Sequence, residues 1–359
     1  MRKFDKLVYA LHKWSGLITG LFLLLLSITG TLLVFRDEID RAFNAPIVSV
    51  NQGGKTLSYN ELIKKITATH PDAVLNGTFL YNGDATRAVM TEIMVKGQRT
   101  WVYVNPYTGD ITGERLKDDV FIVNLLHLHE HLTIGKSGHV ILFVVGLCFI
   151  LSVVSGLWYY RKSLFSVYKI GIRRKTSYLT NSDLHKWIGV SASLFLLLMA
   201  LTGTFMHWEK VERILDSFEQ PEAPRDKKPE PVFLTASQAN YAIDSLLTKA
   251  TQAVNGFMPQ YVGYPRTADE ALIISGTRPE SSRLLGKFNT SILFELSTGA
   301  IKEIKHKEDN DLEANMESSV EQLHFGEYGG WFTKLIYGLG GMGLCVMTIT
   351  GFVIWWKKR

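Results

Sequence analysis

Four long apolar runs alternate with polar segments along this chain of 359 residues. The runs cover residues 16–35, 140–160, 189–208 and 335–356, and each is about the length that crosses the hydrocarbon core of a bilayer. Polar segments of about 100 residues follow the first and the third run. The pattern predicts a membrane protein with four transmembrane helices and two folded domains outside the membrane.

The first and third apolar runs are copies of each other. LHKW precedes each run and TGT lies within it, in residues 11–38 and 184–210, at a constant offset of 173 positions. The second and fourth runs are related at an offset of 195 positions, with an LH dipeptide before each run and Ser-Gly or Thr-Gly near its end. Two copies of the order helix, outer domain, helix predict parallel repeats about a pseudo-twofold axis along the membrane normal.

Each polar segment has the pattern of a helix followed by strands. In the first segment, Ser58 and Glu61 have the spacing of a capping box at the start of an amphipathic helix. Short apolar runs then lead to the turn sequence NPYTGD at residues 105–110, and the second segment repeats this order up to STGA at residues 297–300. The two outer domains are therefore predicted to be duplicated α+β lobes.

These elements define the predicted fold class and its boundaries. We expect an α-helical membrane protein with four transmembrane helices, a pseudo-twofold internal repeat and two α+β lobes. The predicted parts are the first transmembrane helix (1–46), the first lobe (47–120), the second transmembrane helix with a basic loop (121–183), the third transmembrane helix (184–220), the second lobe (221–320) and the fourth transmembrane helix (321–359).

Basic residues concentrate in three short segments, although the net charge of the chain is only +5. These segments are the N-terminal tail, the loop at residues 161–186 and the C-terminal Lys357-Lys358-Arg359. Short basic loops stay in the cytoplasm, and four spans place all three segments on one side. We therefore expect both termini in the cytoplasm, both lobes outside it, membrane lipid around the spans and no nucleic-acid partner.

The sequence lacks the motifs of several common catalytic classes. Cys148 and Cys345 both lie inside predicted spans, which excludes a disulfide framework for the lobes. Neither CxxC nor HExxH occurs, and no GxGxxG stands between a strand and a helix. These observations argue against a thiol redox centre, a zinc protease and a built-in dinucleotide-binding domain.

The order of motifs along the whole chain resembles one membrane-protein family. The motifs are HKWxG before a span containing TG, a lobe that closes on YVNPYTGD, LH before the second span and LHFG before the last. Together they resemble the PepSY-associated transmembrane proteins over nearly the full length. The resemblance implies PepSY-like lobes in the periplasm and a location in the bacterial inner membrane.

The resemblance also implies a function. Members of this family include inner-membrane dihaem reductases that reduce ferric siderophores in the periplasm. By this resemblance we expect a b-type cytochrome with two haem b groups that passes electrons across the membrane to a ferric siderophore or another ferric chelate. The loop at residues 161–186 is too short for a dehydrogenase domain, so a separate donor would be needed, either a quinol or a cytoplasmic reductase.

Eight of the ten histidines lie at or near the ends of the apolar runs. Of these, His12 and His185 occupy equivalent positions in the two copies, and imidazole is a normal axial ligand of haem iron. In a four-helix bundle with pseudo-twofold symmetry the first and third helices face each other, so the two rings could hold one haem. Alternatively, they anchor the span ends at the membrane interface with the neighbouring lysine and tryptophan residues.

Two other histidine pairs are candidates for a second haem. His129 and His324 are again equivalent, before the second and fourth runs, and alternatively they make hydrogen bonds where lobe and membrane meet. His139 and His207 have no histidine at the repeat-equivalent positions. They could ligate the outer haem in place of the symmetric pair, or flank it.

The remaining histidines are not predicted to be haem ligands. His127 and His131 are expected beside these sites or on the surface, and His70 and His306 are expected to be ordinary residues of the lobes.

A different class of function is compatible with the same pattern. The chain could be a haem-free sensor or assembly protein whose PepSY lobes bind a periplasmic protein partner, and its histidines would then be structural. The two functions differ in one observable, because only a cytochrome absorbs visible light.

Overall fold

The structure is a computed structural model that describes residues 3–80, 84–219, 233–238 and 241–358. The predicted domain boundary between residues 220 and 221 lies outside these ranges. The chain forms two units, each with segments from both sequence copies. The helical unit comprises Met1–Arg36, Leu125–Ala223 and Val320–Arg359, and the sheet unit comprises Asp37–Asn124 and Pro224–Ser319.

The helices and strands have the following bounds. The described α-helices are α1 (Lys3–Val34), α2 (Arg36–Val48), α3 (Tyr59–Thr69), α4 (Phe121–His131), α5 (Lys136–Tyr160), α6 (Ser166–Ile170), α7 (Ser177–Ser191), α8 (Ser193–Glu219), α9 (Ile243–Ala253), α10 (Leu312–Phe325) and α11 (Gly330–Lys357). The described strands are β1 (Val74–Phe79), β2 (Val89–Val95), β3 (Gln98–Val104), β4 (Ile111–Leu116), β5 (Met258–Gly263), β6 (Leu272–Thr277), β7 (Thr290–Phe294) and β8 (Ile301–His306). The predicted capping box of Ser58 and Glu61 at the start of α3 is confirmed.

The sheet unit contains one antiparallel sheet of eight strands in the order β4-β3-β2-β1-β5-β6-β7-β8. Its two halves meet where β1 pairs with β5, with Gly77 opposite Gly263 and Thr78 opposite Val262. The two predicted lobes therefore share one sheet instead of forming two separate sheets. The pairing has a physical advantage, because β1 and β5 would otherwise be exposed edge strands with unpaired backbone groups.

Helices α3 and α9 cover one face of this sheet. Alternate strand residues point toward them and form the core, which is the period expected of strands covered on one face. Ile93, Ile274 and Phe294 are fully buried there, together with Leu62 of α3 and Ile243 of α9. Burial of each side chain of this size contributes about 1.5–3 kcal/mol relative to exposure.

The two helices of the sheet unit cap each other at their N-termini. The carboxylate of Asp244 in α9 accepts hydrogen bonds from the backbone N–H groups of Tyr59 (3.0 Å) and Asn60 (2.9 Å) in α3. In return, the side-chain oxygen of Asn60 accepts the N–H of Ile243 at 2.8 Å. These bonds satisfy backbone donors that a helix cannot satisfy itself, and they join the two halves at a second place.

The helical unit contains three helices, α1, α5 and α11, that are long and apolar enough to cross a membrane. Among the described residues there are up to four such spans if the bent pair α7 and α8 counts as one. Helix α1 packs against α5 and α11, α5 packs against α8, and α11 packs against α7. Large apolar side chains such as Leu21 and Leu339 are exposed, as expected of helices that contact lipid.

The predicted third span, residues 189–208, is not one straight helix. Helices α7 and α8 meet at Ala192 with a bend of 68°. The hydroxyl of Ser193 donates to a backbone carbonyl of the preceding turn at 3.0 Å, and such bonds compete with the helical ladder and bend helices. The predicted third transmembrane helix is therefore formed by two helices with a bend between them.

Candidate functional site

His12 of α1 and His185 of α7 face each other, with ring centroids 6.2 Å apart. Each ring is held by a backbone carbonyl of a neighbouring helix. Nδ1 of His12 donates to the carbonyl of Ser152 in α5 at 2.8 Å, and Nδ1 of His185 donates to the carbonyl of Met347 in α11 at 3.0 Å. The first predicted histidine pair is thus brought together.

His129 of α4 and His324 of α10 form a second facing pair, with ring centroids 6.3 Å apart. Here the partners are threonine hydroxyls of the spans. The distance from Nδ1 of His129 to Oγ1 of Thr29 is 2.8 Å, and that from Nδ1 of His324 to Oγ1 of Thr202 is 2.9 Å. The second symmetric pair is therefore also brought together.

The hydrogen bonds determine which ring nitrogen carries the proton in all four histidines. A carbonyl oxygen only accepts, so Nδ1 of His12 and of His185 must be protonated. The hydroxyls of Thr29 and Thr202 already donate to backbone carbonyls, at 2.9 and 2.7 Å. They therefore accept from the histidines, and each neutral ring keeps an unprotonated Nε2 with a free lone pair.

The four ring positions repeat at the offsets found in the sequence. Ser152 and Met347 are 195 positions apart, and Thr29 and Thr202 are 173 positions apart. The same groups thus hold equivalent rings in both copies.

A glycine lies against each of the four rings. A Cβ atom on Gly156 would be 2.9 Å from two atoms of His12, and one on Gly30 would be 2.9 Å from Cε1 of His129. The corresponding distances are 3.3 Å for Gly351 and His185 and 3.1 Å for Gly203 and His324. All four distances are shorter than ordinary carbon contacts of about 3.5–4.0 Å, so the rings reach these positions because the helices carry glycine there.

The spacing of the two pairs matches that of two ligands on opposite sides of one metal ion. Metal–nitrogen bonds to histidine are about 2.0 Å long, so two opposed imidazole rings would have centroids about 6.3 Å apart. The observed centroid distances are 6.2 and 6.3 Å. The geometry and the free Nε2 atoms therefore fit axial ligation of an iron ion by each pair.

The third predicted pair is arranged differently. Nδ1 of His139 and Nδ1 of His207 are in direct contact at 3.3 Å, and the ring centroids are 5.4 Å apart. Opposed ligands of one ion would need their nitrogens roughly 4 Å apart. This pair therefore does not have the spacing of the two symmetric pairs.

A cavity of about 1010 Å³ lies beside His12 and His185. Its walls include five glycines, which leave room for a flat group close to the backbone; they are Gly16, Gly20, Gly156, Gly189 and Gly351. Three lysines also line it, namely Lys13, Lys186 and Lys358. The cavity thus combines a mostly apolar lining with positive charges, which suits an apolar ligand that carries carboxylates.

The two symmetric pairs lie at different levels of the helical unit. His12 and Thr29, the partner of His129, are on the same continuous helix α1. Seventeen residues of helix correspond to about 26 Å along the axis. The pairs are therefore near opposite ends of the predicted span.

The sheet unit has a cavity of about 400 Å³ that no predicted site residue lines. Its lining residues are Phe79, Glu92, Lys117, Tyr261, Ser275 and Phe288. Burial favours the neutral form of Glu92, but hydrogen bonds from Trp101 Nε1 (2.9 Å) and Lys117 Nζ (3.1 Å) lower its pKa below the ordinary value. The carboxylate is thus already paired with a cation, so it offers no uncompensated charge to a ligand.

Comparison with known protein families agrees with this architecture. The model of the PepSY-associated TM region matches residues 9–358, which include both histidine pairs and the sheet unit. The chain belongs to the PepSY-associated TM family. The resemblance predicted from the sequence motifs is confirmed. None of the curated proteins matches the sequence significantly.

Family membership and the sequence motifs did not reveal every residue of this PepSY-associated TM protein that positions the histidines. No hydrogen bond to a histidine was predicted for the threonines of the TGT motifs, but Thr29 and Thr202 accept hydrogen bonds from histidines. The repeated Ser-Gly and Thr-Gly dipeptides were the available signal for Gly156 and Gly351. The carbonyls of Ser152 and Met347 had no signal, because every residue has a backbone carbonyl.

Proposed function

We propose that this PepSY-associated TM protein is an inner-membrane b-type cytochrome that passes electrons across the membrane to a ferric chelate, namely a ferric siderophore. The observation that carries the proposal is the presence of two facing histidine pairs whose spacing and free Nε2 atoms fit an iron ion. His12 and His185 would hold one haem b, and His129 and His324 would hold the second.

The contribution of the chain is to hold and orient the ligands. When bound, a haem with two imidazole ligands supplies one-electron transfer, because its iron alternates between the ferric and ferrous states. The Nδ1–H bonds to Ser152, Met347, Thr29 and Thr202 fix the four rings and make each Nε2 a better electron donor. The lysines that line the cavity at His12 would balance the haem carboxylates.

The proposed topology has four spans, with the bent pair α7 and α8 counted as one. Both termini and the basic loop at residues 161–186 would be cytoplasmic, and the sheet unit would be periplasmic. His12 and His185 would then lie at the cytoplasmic level, and His129 and His324 at the periplasmic level. Electrons would enter from a quinol or a cytoplasmic reductase and leave toward the chelate, and reduction to the ferrous ion would weaken its binding to hard oxygen ligands.

A visible absorption spectrum tests the cytochrome proposal directly. Protein purified in mild detergent should show low-spin b-type haem with two haems per chain, and His12→Ala and His185→Ala should each remove the same haem. His70→Ala, a histidine of the sheet unit, is the matched control and should keep both. Colourless wild-type protein would contradict the proposal and favour a haem-free protein that binds a periplasmic partner.

Anaerobic mixing tests the reductase activity. Pre-reduced wild-type protein should be reoxidised by a ferric siderophore, with the ferrous iron trapped by a chelator. His129→Ala and His324→Ala should retain electron entry at the other pair but transfer electrons to the siderophore far more slowly. If no ferric chelate reoxidises the wild type, the cytochrome remains and the reductase assignment fails.

A further inference from the structure

Four histidines outside the two symmetric pairs form a cluster in the helical unit. His127 and His131 stack at 5.2 Å, His131 and His139 lie 5.6 Å apart, and His139 and His207 lie 5.4 Å apart, all measured between ring centroids. The rings come from α4, α5 and α8 and are half-buried, so an ion can reach them. We call these four residues the histidine cluster.

We propose that the histidine cluster is a binding site for a divalent transition-metal ion, with His139 and His207 as its two principal ligands. Their Nδ1 atoms are 3.3 Å apart. Two histidine nitrogens that bind one ion tetrahedrally at about 2.0–2.1 Å are separated by about 3.3 Å. The two Nδ1 atoms are too close together to bind opposite sides of one iron ion. Their separation instead fits two neighbouring ligands of one tetrahedral metal ion.

A second observation is independent of this distance. Nδ1 of His131 is buried and has no hydrogen-bond partner among the described residues. A buried nitrogen without a partner is costly, and it indicates a ligand that satisfies it. The His131 ring lies beside that of His139, so this nitrogen without a partner belongs to the same cluster.

The site has two ligands from the protein. Among the described residues, no group of three or more histidine, cysteine, aspartate or glutamate side chains is arranged to hold a metal ion. Water would therefore complete the coordination, as in exchangeable sites. The proton now shared between the two Nδ1 atoms moves to an Nε2 atom when the ion binds, so no net proton is released.

The location of the cluster assigns it a role. His131 is two residues from His129 on helix α4, so the cluster adjoins the second symmetric pair. Imidazole suits ferrous iron better than the hard oxygen ligands of a ferric chelate do. If the proposed function holds, the cluster receives the ferrous ion that reduction releases, and this role rests on that function.

Equilibrium dialysis against zinc tests the site itself. Zinc is not reduced and is distinguished from haem iron by elemental analysis, so the result does not depend on reductase activity. Full-length protein in detergent should bind one zinc ion per chain. His139→Ala and His207→Ala should each weaken binding by about tenfold or more, and His131→Ala should weaken it less. His70→Ala and His306→Ala are matched controls in the sheet unit and should have no effect.

The other outcomes separate this proposal from the proposed function. Unchanged zinc binding in His139→Ala and His207→Ala, or no binding in the wild type, would overturn the site. Loss of low-spin haem in either variant would also overturn it, because the pair would then belong to a haem. Colourless protein that binds zinc through this pair would instead remove the cytochrome and keep the metal site. Zinc-free protein should bind ferrous iron under anaerobic conditions, and His139→Ala and His207→Ala should weaken that binding; no binding of ferrous iron by the wild type would refute the ferrous role.

Discussion

At the scale of single residues, the four facing histidines depend on neighbours that carry no charge. Each ring is hydrogen-bonded at Nδ1 and has a glycine beside it. The hydrogen bond sets the proton position and the glycine leaves space for the ring. Exchange of either neighbour should therefore affect the ligand site without affecting the fold.

Gly156→Ala tests whether the glycine beside His12 is needed to leave space for its ring. The new methyl group would be 2.9 Å from Cε1 and Nδ1 of His12, and the ring cannot turn away without losing its bond to Ser152. We expect loss or distortion of the haem at His12 in the visible spectrum, with little change in the thermal unfolding midpoint.

Gly343→Ala is the matched control for that variant. A methyl group there would meet a methyl of Ile188 at 3.3 Å, and Gly343 does not line the cavity at His12, so the spectrum should not change. Equal effects of the two substitutions would show that helix packing, and not ring placement, explains the glycines.

At the scale of elements, the sheet unit is joined twice, by the pairing of β1 with β5 and by the mutual caps of α3 and α9. Asp244 in the second half caps α3 of the first half, and Asn60 in the first half caps α9 of the second half. The two halves should therefore lose stability together when one cap is removed.

Asp244→Ala removes both hydrogen bonds to the first turn of α3. Loss of a helix cap costs about 0.5–2 kcal/mol, so the amides at Tyr59 and Asn60 should exchange with solvent correspondingly faster in hydrogen-exchange mass spectrometry of the full protein. Asp269→Ala, at an exposed position, should leave their exchange unchanged. Equal protection in both variants would mean that the caps do not stabilise the unit.

At the scale of the whole molecule, both sequence copies contribute histidines to the two facing pairs, but the helices of the two copies differ in shape. The first copy supplies the continuous α1, whereas the second supplies α7 and α8 with a bend of 68°. The histidines of the two copies thus have equivalent hydrogen-bond partners although the second copy contains a bent helix pair.

Reporter fusions test the proposed topology of the molecule. Fusions at Gln98 and at Thr277, both in the sheet unit, should be active with a reporter that works only in the periplasm. A fusion after Lys358 should be active only with a cytoplasmic reporter. Cytoplasmic activity at Gln98 or Thr277 would contradict the arrangement of four spans.

Much of this architecture was predictable from the sequence, because apolar runs and exact repeats report burial and duplication. The family, the capping box at Ser58 and both symmetric histidine pairs were found in this way. The bend at Ala192 was not, because it depends on one hydroxyl among many in apolar runs. The shared sheet was not, because strand patterns show which face is buried but not which edge is paired. The carbonyl groups that bind His12 and His185 were not predictable either, because a backbone carbonyl is present in every residue type.

The shared sheet has a consequence for the order in which the chain can mature. Thr78 and Tyr264, which hydrogen-bond across the junction, are 186 positions apart. When the ribosome has completed the first four strands, β1 is paired with β2 on one edge only, and the backbone of its other edge can pair with a strand from another chain. Contacts over such long sequence separations form slowly. The nascent first half therefore needs protection until the second half emerges, and a stalled or truncated chain should be a preferred client of chaperones and proteases.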